Sequence, residues 1–160
     1  MDSIIAVQAL DRNKKVNNKF VDMKVIGIEI KSSEAILVVL KRDSDGQIMQ
    51  TNECTKFGID DSQSNAQVRQ FFQQVNASLD TINPGLIGIL ARNGKAKGVM
   101  APSPFSFKLE GLFQLYNKKE VELVWPQSVS AYFKKHPVAV ASHKKYQQDA
   151  FNLAYFLIMK

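Results

Sequence analysis

Among 160 residues there is one cysteine, Cys54, so the chain closes no disulfide on itself and builds no cysteine-based structural zinc site. No motif surrounds Cys54, which reads as a partly buried thiol rather than a nucleophile. No apolar run approaches the ~20 residues that a bilayer-spanning helix needs. The opening MDSIIAVQAL carries Asp2 where a secretory signal wants a basic residue, and its apolar patch is short. The sequence has no G-x-x-x-x-G-K-[ST] phosphate cradle and no G-x-S-x-G nucleophile elbow. The two histidines, His136 and His143, flank Pro137-Val138 and read as polar surface. Ser142 and His143 are chain neighbours and cannot face each other as a catalytic pair. The expectation is a cytoplasmic protein with no membrane partner.

What is present fits one folded domain: 45% hydrophobic and 22% charged residues. Residues 1–22 stand apart. After Leu10 the chain reads DRNKKVNNKFVD, polar and without a sustained period, so a flexible or loosely docked extension is expected there. Met23 is a candidate natural start, and residues 23–160 form the expected domain.

Charge is divided unevenly. Residues 1–90 hold 10 basic and 11 acidic side chains, whereas residues 91–160 hold 11 basic and 4 acidic. The second half is thus strongly positive, which points to an anionic partner such as DNA or RNA. The alternative is that these lysines only keep the surface wet.

MKVIGIEIK (23–31) alternates, with Ile26, Ile28 and Ile30 on one face and Val25, Gly27 and Glu29 on the other. EAILVVLKR (34–42) is a continuous aliphatic strand, and Asp43-Ser44-Asp45-Gly46 a turn. QIMQTNECTKF (47–57) predicts a third strand, completing an antiparallel meander. Val68, Phe71, Phe72, Val75, Leu79 and Ile82 then form one apolar helical stripe, ended by Asn83-Pro84-Gly85. LIGIL (86–90) is a buried strand. RNGKAKG (92–98) is a basic loop. A helix carrying Leu109, Leu112, Phe113 and Tyr116 follows, then the strand VELVW (121–125). Pro126 opens a helix that stops before Pro137. A last helix is expected from about Lys144 to Ile158. The order is β-β-β-α-β-α-β-α-α, a mixed five-stranded α/β sheet with right-handed crossovers.

This order resembles the ribonuclease H-like fold. Four stretches are similar to its Holliday-junction resolvase branch: IGIE (26–29), KLEGLFQL (108–115), VWPQSV (124–129) and QQDAFNLAYFLI (147–158). The chain also resembles a proteobacterial family known only as a domain of unknown function. The resemblance implies a site where carboxylates from the first strand, the fourth strand's end and the last helix hold two Mg²⁺ or Mn²⁺ ions ~4 Å apart for phosphodiester cleavage.

Carried onto this chain, that set is depleted. Glu29 stands for the first-strand acid, with one extra methylene, and Gly27 beside it is expected to leave room for an ion or phosphate. Asp149 matches the first acid of the last helix. Asn152 matches the second but is neutral. The fourth strand is expected to end in an acid near position 90 or 91 and reads Leu90-Ala91-Arg92 instead, which makes Arg92 a candidate cation there. Glu110 is a spare carboxylate in KLEG on the helix that follows that strand. The bland reading is that Asp149 caps its helix and Glu29 pairs with a lysine or Arg92. Arg92, Lys95, Lys97, Lys134, Lys135, Lys144 and Lys145 fall on loops that surround the same strand ends in the resembled fold and are the candidate phosphate contacts. Phe105 and Phe107 are the nearest stacking candidates. Three functions remain open: a nuclease-like domain without full catalysis, an active metal-dependent nuclease using Glu29, Asp149 and Asn152, or an interaction module without nucleic acid.

Overall fold

The structure is a computed structural model that describes residues 22–92, 103–138 and 140–160. The expected extension, apart from Asp22, and most of the basic loop with Lys95 and Lys97 lie outside the described residues.

The elements are β1 (Lys24–Lys31), β2 (Glu34–Arg42), β3 (Ile48–Gln50), β4 (Thr55–Gly58), α1 (Asn65–Ile82), β5 (Leu86–Leu90), α2 (Pro104–Gln114), β6 (Val121–Val124), α3 (Pro126–Lys135) and α4 (Gln148–Met159). The sheet runs β3-β2-β1-β5-β6, with β4 also paired to β2. β1 is therefore central, antiparallel to β2 and parallel to β5, and β6 is parallel to β5. The mixed α/β sheet, with β5 and β6 parallel to β1, matches the sequence reading.

Two boundaries differ. The expected third strand divides in two, because Thr51–Cys54 leaves the ladder through local side-chain bonds. The Glu53 amide donates to Thr51 Oγ1, and the Val39 amide donates to Cys54 Sγ instead of a strand carbonyl. The last helix starts at Gln148 rather than near Lys144, preceded by a 3₁₀ turn, Lys145–Gln147. Buried Gln147 holds that turn: its Oε1 accepts from Gln50 Nε2 at 2.9 Å and from the Lys144 amide at 3.1 Å.

The alternation of β1 sends Ile26, Ile28 and Ile30 into one core, where Phe71, Leu79 and Phe113 of α1 and α2 cover them. The opposite face carries Val25, Val38 and Leu40, packed against Phe151, Leu153 and Leu157 of α4. Gly27 makes that second contact close. A Cβ there would fall on the Ala150 carbonyl oxygen and lie 2.7 Å from the Ala154 amide nitrogen. The expected vacancy beside Glu29 is therefore filled by the backbone of α4.

Candidate functional site

β1, β5 and β6 all run toward one end of the sheet, and α3 and α4 close over that end. In open α/β sheets the crevice beyond the carboxyl ends of the strands is the usual ligand site. Here it is a cavity of about 550 Å³. Glu29, Arg92, Lys134, Asp149 and Asn152 supply its polar lining, and Leu90, Ala91, Pro126, Val129 and Phe133 its apolar wall.

Glu29 is the most constrained of these groups. Its side chain is only 9% exposed, and Oε1 faces Lys31 Nζ at 3.6 Å. Oε2 is buried without a hydrogen-bond partner. Loss of water and the adjacent Asp149 carboxylate push the Glu29 carboxyl up to about 7, which Lys31 only partly offsets. Glu29 and Asp149 are close enough for the carboxyls to share a hydrogen bond when one is protonated. Asp149 itself is exposed in the first turn of α4 and makes no side-chain cap. The expectation that it caps the helix is not met. Glu29 pairs with a lysine, as the bland reading has it, but not with Arg92.

The positions near 90 and 91, where an acid is expected, are Leu90 and Ala91, and Arg92 lies two residues beyond β5. Its Nη1 donates to the Ile30 carbonyl at 2.6 Å, and Nε is buried without a partner. Its amide donates to Glu110 Oε2 at 3.2 Å. Burial raises the Glu110 carboxyl above its ordinary range, and the Arg92 amide and charge oppose that rise. Glu110 is thus committed to the strand end and does not line the cavity.

Asn152 is oriented by a chain of hydrogen bonds. The Ser142 amide donates to Gln148 Oε1 at 3.0 Å, which turns Gln148 Nε2 toward Asn152 Oδ1 at 2.8 Å. The oxygen of Asn152 thus accepts a bond within α4, while the residue lines the cavity. A hard divalent ion needs the oxygen. Among the described residues no three His, Cys, Asp or Glu side chains converge on one point. One buried carboxyl, one exposed carboxylate, a turned amide and a guanidinium do not fit a two-ion cluster.

Of the other basic residues, Lys134 reaches the cavity, whereas Lys135, Lys144 and Lys145 are exposed nearby on α3 and the turn before α4 without lining it. Phe105 and Phe107 are 44% and 40% exposed at the start of α2, outside the lining. Sequence reasoning missed Ser130 and Gln148. Gln148 had one signal, its position four residues before Asn152 on the same helical face.

The sequence matches the family described as Protein of unknown function (DUF3010) over residues 23–157. The chain belongs to the DUF3010 family. No curated protein matches it. Its fold is similar to that of Thermus thermophilus RuvC, with a TM-score of 0.63, 12% identity, and coverage of 82% of this chain and 91% of that one. The same enzyme in complex with Holliday junction substrate gives 0.61 at 12% identity, covering 82% and 90%. The yeast mitochondrial Holliday junction resolvase Ydc2 gives 0.61 at 10% identity, covering 87% and 79%. This DUF3010 member therefore shares the fold of these resolvases. Among its described residues no helix is long and apolar enough to cross a membrane.

Proposed function

We propose that this protein is a nuclease-fold domain that has lost two-metal catalysis and binds nucleic acid at the strand-end cavity. The observation that carries this reading is the polarity of the site. Leu90 and Ala91 stand where the resembled fold carries an acid, Arg92 follows them with a cation at the cavity, and Asn152 turns its oxygen to Gln148. Cations at the mouth suit phosphates without reading bases. The fold relative from T. thermophilus, solved with its junction substrate, supports a nucleic-acid partner. We place its work in the cytoplasm.

A second reading, an active Mg²⁺- or Mn²⁺-dependent nuclease, draws on one observation: Glu29 and Asp149 do come together. Incubating the protein with branched and single-stranded DNA and RNA, with each metal and with EDTA, separates the two. Binding that survives EDTA, with no cleavage in either metal, is expected. Metal-dependent cleavage that Asp149→Ala abolishes would establish the nuclease. No retention of any nucleic acid would leave an interaction module.

A further inference from the structure

We propose that the cavity accepts a single unstacked nucleotide carrying an amino-bearing base, with the base against Phe133, Val129 and Pro126 and the phosphate at Arg92 and Lys134. The inference rests on the nucleic-acid reading of this same site and names what the site holds. A volume of about 550 Å³ lies within the range of small-molecule sites, and a phosphate alone would leave the apolar wall without a partner. Phe133 belongs to an aromatic cluster, 5.3 Å from Tyr132 and 5.8 Å from Tyr155 between ring centres, so it is held firmly as one wall.

The polar groups decide which base fits. Glu29 Oε2 is closed off from the cavity, so the exposed Asp149 carboxylate supplies the acceptors, and its two oxygens can take a pair of N–H groups. Asn152 offers a donor, because Gln148 has taken its oxygen. The site thus asks for two neighbouring N–H groups beside one acceptor. Guanine presents N1–H and an exocyclic amine next to its carbonyl. Uracil presents one N–H between two carbonyls, and those oxygens would face the carboxylate. Arg92, fixed by its bond to the Ile30 carbonyl, and Lys134 on α3 line the same cavity. Together they provide the charge a phosphate needs.

The chain's one tryptophan, Trp125, precedes Pro126 in the wall and is 53% exposed, so its emission reports occupancy. The test titrates the full chain in EDTA with GMP, UMP and inorganic phosphate, and follows a labelled single-stranded DNA in parallel. GMP is expected to change Trp125 emission saturably and to bind roughly tenfold more tightly than UMP. Ser130→Phe, on the exposed face of α3, fills the cavity without touching the core. Asn152→Asp replaces the donor by an acceptor. Each variant, folded by circular dichroism, is expected to weaken GMP by about tenfold. Equal responses to GMP, UMP and phosphate would overturn the inference. DNA binding that GMP does not displace and Ser130→Phe does not weaken would also overturn it, while leaving the nucleic-acid reading intact. GMP binding with no retention of DNA or RNA would do the reverse, keeping the pocket and removing that reading.

Discussion

Gln148 Nε2 donates to Asn152 Oδ1 across one turn of α4, at 2.8 Å, and this bond sets the polarity of the cavity. It predicts the outcome of restoring the fold's missing acid. In Asn152→Asp a third carboxyl joins Glu29 and Asp149, and one of its oxygens still satisfies Gln148. The wild-type unfolding temperature is expected to be insensitive to millimolar Mn²⁺. Asn152→Asp is expected to unfold several degrees lower in EDTA and to recover with Mn²⁺. Differential scanning fluorimetry checks both arms, and equal insensitivity of the variant would show that the oxygens do not converge.

The Glu29 carboxyl, raised to about 7, makes stability depend on pH in a defined direction. Unfolding releases the carboxyl to its ordinary value of 4.5. Folding therefore favours the protonated form. The benefit is whole below pH ~4.5 and is lost as pH rises through ~7, a decline on the order of 3 kcal/mol from this group. Glu29→Gln cannot ionise. Its urea midpoint is expected to match wild type near pH 5 and to exceed it at pH 8. A wild-type-minus-variant difference that stays flat across this range would remove the buried-carboxyl account.

The same residues show what the sequence disclosed and what it concealed. Period-two alternation in β1 and the apolar stripe of α1 are local patterns, and both sit as expected in the two cores. Glu29, Asp149 and Arg92 stand out through the resemblance to the resolvase branch, and all three line the cavity. The division of the third strand was not legible. It depends on hydroxyl and thiol bonds to single amides, which compete with a ladder at small energy differences. The orientation of Asn152 was hidden for a related reason, since it is set by Ser142, ten residues earlier, through Gln148. The close approach at Gly27 did have a trace. Ala150 and Ala154 are four apart on α4, and Gly27 and Gly88 are partners across β1 and β5. Small residues on both sides mark a tight contact.

Gly27 and Gly111 give opposite predictions for one substitution. Gly27→Ala drives a methyl into the backbone of α4, where the carbonyl of Ala150 and the amide of Ala154 have no rotamer to move. A loss of at least about 3 kcal/mol is expected. Gly111 lies within α2 with nothing within 4 Å of its would-be Cβ. Gly111→Ala is expected to gain up to about 1 kcal/mol, from helix propensity alone. Urea denaturation of the two variants beside wild type checks the pair. Similar effects of the two would mean that α4 does not press on β1.

Phosphate contacts at the cavity mouth predict a salt dependence that distinguishes lysines of equal charge. Lys134 lines the cavity, whereas Lys118 is paired with Asp80 at 2.9 Å, and Asp80 belongs to α1 on the opposite face of the sheet. Each phosphate neutralised by a single-stranded ligand releases counterions and contributes about 0.7 to the slope of log K against log salt. Lys134→Ala is expected to lower the slope by that amount and to weaken binding to all sequences alike. Lys118→Ala is expected to leave slope and affinity unchanged. Fluorescence anisotropy between ~50 and ~200 mM salt measures both. If the two variants behaved alike, a general positive field from the basic second half of the chain would explain binding, and the cavity would have no special part in it.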